Sequence, residues 1–129
     1  MRRYWRLFSN VESIWEEFRI ELSDSQLQRE VDAPVDPNVP ADRDVLFAYY
    51  SYEDYSGTAF VLYKKGRKLF EAHGSHCSCD GLEGQWHPEE TTWEALDMRD
   101  YTWSYDGEAE AALRSLVQSK LRRRRKVSR

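Results

Sequence analysis

His73, His76, Cys77 and Cys79 place four potential soft-metal ligands within seven residues. A zinc centre would require these donors to converge to about 2.3 Å from one ion, whereas an extended run rises about 3.3 Å per residue. Tetrahedral sites recruit two separated pairs of ligands, and His87 is the only other His or Cys in the chain. A turn at Gly74 would therefore have to fold the donors together. The same segment offers a second chemistry, a Cys77 or Cys79 thiolate paired with the imidazole of His76 and oriented by Asp80. Adjacent residues of an extended chain point to different faces, which works against such a dyad. The expected reading is scaffolding, in which small Ser, Gly and Cys side chains let the chain turn tightly and the thiols pack as small hydrophobes. A disulfide between residues only two apart would be strained. No cofactor is expected.

The remaining chemistry-bearing residues are charged. Glu53-Asp54 and Glu89-Glu90 are paired in sequence, but neither pair has the apolar setting that raises a carboxyl pKa for acid–base work, so solvated turn and helix-start acids are expected. No Gly-rich phosphate cradle, serine nucleophile elbow or zincin pattern is present, and a non-enzymatic protein is expected. Arg122, Arg123, Arg124, Arg125 and Lys126 are five consecutive cations suited to phosphates of DNA or RNA. Such binding would weaken with salt and, without aromatics for base stacking, would be blind to sequence.

Charge is unevenly distributed. Residues 7–119 hold all 23 acids but only nine of the 19 bases, while three bases lie in the first six residues and seven in the last ten. The acidic body could either solubilise the chain or steer it toward a basic partner in the manner of a nucleic-acid mimic. Tyr49, Tyr50, Tyr52 and Tyr55, with Glu53 and Asp54 among them, form the expected contact surface for a protein partner, because tyrosine is enriched at binding hot spots.

The elements that position these residues follow from patterning. Ser9-Asn10-Val11-Glu12 has the form of a capping box, and Val11, Ile14, Trp15, Phe18 and Leu22 recur at helical spacing, predicting a helix over about 10–22 with a frayed or second short helix through Glu30. Trp5, Leu7 and Phe8 are expected to pack beside it. Pro34, Pro37 and Pro40 make 32–44 a connector. Val45–Tyr52, Thr58–Lys64 and Lys68–His73 read as an antiparallel meander, and in the middle run Thr58, Phe60 and Leu62 alternate with Ala59, Val61 and Tyr63, so that at least part of each face of the sheet should be covered. An irregular loop is expected from His73 to Gly81, followed by a short helix opening at Pro88 and running through Trp93 and Leu96. Tyr101–Tyr105 is a candidate further strand. Asp106 is expected to cap a last helix with an apolar stripe of Ala109, Ala112, Leu113, Leu116, Val117 and Leu121.

These elements predict an α+β fold, a small antiparallel sheet of three to four strands packed against N-terminal and C-terminal helices. At 129 residues one domain is expected, over 1–121, with 122–129 as a basic tail. Two cysteines are too few for a secreted disulfide framework, and neither a signal-peptide core nor a membrane-spanning run is evident, so a cytoplasmic location without membrane contact is expected.

Gly74-Ser75-His76-Cys77-Ser78-Cys79, then Gly81-Leu82-Glu83, Gln85-Trp86 and Pro88-Glu89-Glu90, preceded by Gly57 and Ala59-Phe60-Val61, resembles the pattern of a family of small uncharacterised bacteriophage and prophage proteins. The match covers roughly residues 47–96. The resemblance implies a phage accessory protein acting in the host cytoplasm and carries over no catalytic residue. Together with small size, the absence of a catalytic constellation and charge polarity, it motivates the expectation of a host protein or nucleoprotein complex as partner, with inhibition of a defence or nucleic-acid-processing complex by protein–protein contact as the action. Nucleic-acid binding through Arg122–Lys126 and metal binding through His73, His76, Cys77 and Cys79 stand as the alternatives.

Overall fold

The computed structural model describes residues 4–6, 8, 14, 18, 40, 42–78, 81–82, 85–99 and 107–127. Strands β1 (Tyr4–Arg6), β2 (Val45–Tyr50), β3 (Gly57–Lys65), β4 (Lys68–His76) and β5 (Glu89–Thr91) form one sheet in sequential order, accompanied by helices α1 (Trp93–Asp97) and α2 (Gly107–Val127). The fold is α+β, as expected. Strands β2 to β5 are antiparallel neighbours, while β1 pairs in parallel with β2, Trp5 opposite Ala48. This fifth, parallel strand was not expected, because a three-residue edge strand is too short to show alternation.

Alternation along β3 sorts side chains between two cores. Phe60 and Leu62 join Phe47, Tyr49, Leu69 and Leu96 under Ala109, Leu113, Val117 and Leu121 of α2, at every fourth position of the helix. Ala59, Val61 and Tyr63 join Ala48 and Leu82 beneath Phe8, Ile14 and Phe18. Of the expected N-terminal helix, Ile14 and Phe18 are helical and buried on this second face; the rest of it, the connector before Pro40 and the segment 101–106 lie outside the described residues. A register shift between Val45 and Phe47 sends these two residues, two apart on β2, to opposite cores. Full burial of each large apolar side chain contributes roughly 1.5–3 kcal/mol.

Two boundaries differ from expectation. Strand β4 continues through Gly74 and Ser75 to His76, because β3 offers partners as far as Gly57. The segment after Pro88 is not a helix start. Glu89, Glu90 and Thr91 pair with Glu71, Phe70 and Leu69, and α1 begins only at Trp93, where the extended Thr92 caps it by accepting from the Ala95 N–H at 3.1 Å. Cross-strand pairing thus outweighed the preference of proline and acids for a first helical turn. At the C-terminal end, Arg122–Lys126 continue α2 as helix. No helix among the described residues is long and apolar enough to cross a membrane.

Candidate functional site

The β2–β3 hairpin is built around a glycine corridor. Ser51 N–H donates to Thr58 O at 2.8 Å, and Thr58 N–H returns to Ser51 Oγ at 2.8 Å. Beyond them Glu53 and Ser56 exchange backbone hydrogen bonds of 2.7 and 3.0 Å around Asp54 and Tyr55. Both central residues are left-handed, with φ of 53° and 65°, the conformation of a type I′ turn. That turn is normally made by Asn-Gly or Asp-Gly; a tyrosine in its second position carries backbone strain of roughly 1–2 kcal/mol.

His76, from the far strand β4, reaches this hairpin across Gly57. A β-carbon at Gly57 would lie 1.9 Å from Ser51 O and 2.7 Å from His76 Nε2. With no side chain there, His76 Nε2–H donates to Ser51 O at 2.5 Å, and its ring stacks with Tyr50 at 4.7 Å and Tyr52 at 5.7 Å, both within 10° of parallel. Phe8 packs on Tyr50 at 5.6 Å, and Tyr55 meets Tyr52 edge-on at 6.4 Å. A column of five rings therefore runs from the buried Phe8 to the tip, where Tyr52 is 58% and Tyr55 69% exposed. Glu53 and Asp54 are exposed beside them.

Sequence reasoning singled out this hairpin, and four of its six named residues lie on its surface. Tyr49 does not. It is 1% exposed and faces α2, because alternation along β2 places it opposite Tyr50; Tyr50 itself is half-buried as the second ring of the column. Gly57 and His76 were missed as members of the site, since nothing short of the three-strand register brings residues 51, 57 and 76 together.

The described members of the His and Cys cluster are dispersed. His73 and His76 lie three apart on β4 and point to opposite faces, His73 against Phe60 on the α2 face and His76 in the ring column. Cys77 is exposed, and Cys79, like Asp80, lies outside the described residues. Among the described residues no group of three or more His, Cys, Asp or Glu is arranged to hold a metal ion. The reason is that β4 continues as strand through Gly74, where a metal site would have needed a turn. Gly74 has a packing role instead: a β-carbon there would lie 2.8 Å from Leu82 and 3.1 Å from Phe18. The neighbouring Gln85 side-chain amide pairs with Ser75, accepting from its N–H at 2.8 Å and donating to its carbonyl at 2.7 Å, so it occupies part of the β4 edge as a strand would.

The strongest electrostatic feature, Glu71, was also missed. Its side chain is 7% exposed on the α2 face and accepts from His73 Nε2 at 2.6 Å and from the Arg99 guanidinium. Burial pushes its pKa up, but the hydrogen bonds from His73, Arg99 and Thr91 and the charge of Arg99 outweigh this and hold it at about 2. Glu71 borders an open groove of about 470 Å³ shared with His73, Gln85, His87 and Glu89. As a paired, ionised carboxylate at neutral pH it serves as a clamp rather than a proton donor.

Of the cationic run, Arg122, Arg123 and Arg124 are exposed on α2, with Arg124 paired to Glu94 at 2.5 Å; the side chains of Arg125 and Lys126 lie outside the described residues. Comparison with protein-family models, curated proteins and solved structures finds no match to this chain.

Proposed function

We propose that this protein is a non-enzymatic binding protein whose β2–β3 hairpin tip docks on a partner macromolecule. The observation that carries this reading is the ring column ending in exposed Tyr52 and Tyr55 on a turn held in a costly backbone conformation. Strain of this kind clusters at functional sites, where the surrounding structure holds it in place. Tyrosine offers large contact area with few rotatable bonds, and the stacked His76 and Tyr50 hold Tyr52 in place before binding, which reduces the ordering cost of association. Glu53 and Asp54 add charge that steers the tip toward a basic partner surface.

The setting implied by the phage and prophage resemblance makes that partner a host protein or nucleoprotein complex, and the action an inhibition of defence or nucleic-acid processing by occupying a surface. Co-purification from the infected or lysogenic host tests this reading. The wild-type chain should recover a stoichiometric partner that a folded Tyr52→Ala/Tyr55→Ala variant fails to recover. Recovery of the same partner by both proteins, or of none by either, would overturn it.

A further inference from the structure

We infer that the opposite end of the molecule, where the β3–β4 hairpin meets the last turns of α2, is a composite site for the phosphodiester backbone of a nucleic acid. The chain visits this end twice. Lys64, Lys65, Arg67 and Lys68 surround the tight turn at Gly66 and are all exposed. Lys120, Arg122, Arg123 and Arg124 arrive more than fifty residues later on α2.

Their meeting is set by packing. Leu69, the residue after Lys68, pairs with Thr91 at the end of β5, and α1 starts two residues later. On α1, Trp93 lies under the Lys120 ammonium, 5.7 Å from nitrogen to ring centroid, and Glu94 holds Arg124. Helix α2 is thereby pinned with its basic end beside the hairpin.

The cations crowd one another. Lys65 and Lys68 stand directly opposite as the last pair of the β3–β4 ladder, an arrangement that like charges disfavour. The Lys120 pKa is lowered by partial burial and by the nearby charges of Arg123 and Lys64, placing hairpin and helix within one field. A bound polyanion would relieve this repulsion.

The chemistry of the surface selects among polyanions. The exposed large apolar side chains among the described residues are Tyr52, Tyr55 and Met98, and none belongs to these basic segments. A protein partner held tightly needs apolar or aromatic anchors, and a membrane surface needs apolar residues to insert beside the charges. A phosphate backbone requires neither, since release of its condensed counterions drives binding by charge alone. The acidic hairpin tip is separated from the basic end by the length of β3, about 26 Å for nine residues, well beyond the screening length of about 8 Å at physiological salt. The two acids of the hairpin tip therefore do not oppose binding here, while Glu94, nearer at hand, competes with a ligand for Arg124 alone among the pairs named.

The test titrates the full chain against a fluorescent 20-base-pair DNA duplex of arbitrary sequence over 50–200 mM salt. The wild-type protein should bind at 50 mM salt with an affinity that falls steeply as salt rises. Replacing Lys64, Lys65, Arg67 and Lys68 together by Gln should lower affinity at least tenfold and flatten the log–log salt slope by about 3.6, and an Arg122→Gln/Arg123→Gln variant should flatten it by about 1.8. Circular dichroism melts confirm folding of each variant, and the single substitutions Lys65→Gln and Arg67→Gln provide a graded series if the quadruple variant unfolds. Absence of duplex binding at micromolar protein and 50 mM salt overturns the inference. So does a hairpin series that binds like wild type, or tighter binding to phosphatidylserine vesicles or to polyglutamate than to the duplex. The Tyr52→Ala/Tyr55→Ala variant should bind the duplex unchanged, which separates failure of this site from failure of the docking tip.

Discussion

Strand β3 is bounded by two tight hairpin turns, one with a single left-handed residue and one with two, filled by different residue types. At Gly66 the left-handed position, φ 64°, is filled by glycine, with nothing near a hypothetical β-carbon, and the turn is surrounded by lysine and arginine. At the other end Asp54 and Tyr55 occupy left-handed positions without glycine, and the turn displays two tyrosines and two acids. The basic turn is relaxed in its backbone and gathers four cations, whereas the aromatic turn holds a non-glycine pair in left-handed backbone. The aromatic turn departs from the Asn-Gly or Asp-Gly that its backbone favours, which is the feature the proposed docking reading uses.

Substitutions at the glycines should separate the two turns most widely. Gly57→Ala drives a β-carbon into the Ser51 carbonyl and against His76, and should destabilise the fold by about 3 kcal/mol, seen as a lowered denaturant midpoint, because backbone rather than a flexible side chain is in the way. Gly66→Ala meets no atom and should cost only about 1 kcal/mol, for its positive φ. Equal losses for the two variants would contradict the corridor through which His76 reaches Ser51.

Glu71 lies between the turns and ties β4 to Arg99, just beyond α1, and so supports the basic end more than the aromatic one. Glu71→Gln should cost about 2–3 kcal/mol at pH 7 and speed amide exchange in α1 while leaving exchange around Glu53–Ser56 unchanged. Because its folded pKa is about 2 against an ordinary 4.5, the ionised form of Glu71 favours the folded state above pH 4.5. That contribution is lost as pH falls from 4.5 toward 2, so the wild-type acid limb should be steeper over this window than that of the Gln variant. Parallel acid limbs would remove the clamp.

The smallest expected effect has the opposite sign. Tyr55→Gly relieves a left-handed tyrosine and should raise stability by about 1 kcal/mol while weakening partner capture. A destabilised variant would show that the Tyr55 ring contributes more to the fold than its backbone costs.

Much of the architecture was legible in the residues. The alternation of Phe60 and Leu62 with Ala59, Val61 and Tyr63 announced a sheet covered on both faces, and the spacing of Ala109, Leu113, Val117 and Leu121 announced the helix on one of them. Element ends were less legible. Gly74 and Ser75 look like loop residues, and Pro88 with two acids looks like a helix start, until neighbouring strands offer their hydrogen bonds. Of the candidate site, Tyr52 and Tyr55 were found by residue type, but Tyr49 was assigned to the surface because aromatic content alone does not say which face of β2 a side chain takes. Glu71 was invisible for a related reason: besides His73 on its own strand, its partners Thr91 and Arg99 come from segments that only the fold brings beside β4.

By itself the sequence determined the three central strands and the last helix, because hydrophobic periodicity is a local property that each of these longer segments carries alone; the three-residue strands β1 and β5 are too short to carry it. It also determined the surplus of cations at the C-terminal end. Only the tertiary structure decided that His73 and His76 part company, that residues 51, 57 and 76 form one column, and that the basic end of α2 lies beside Lys64–Lys68. Those outcomes depend on register and on which strands are neighbours, and both are settled by packing between segments distant in the chain.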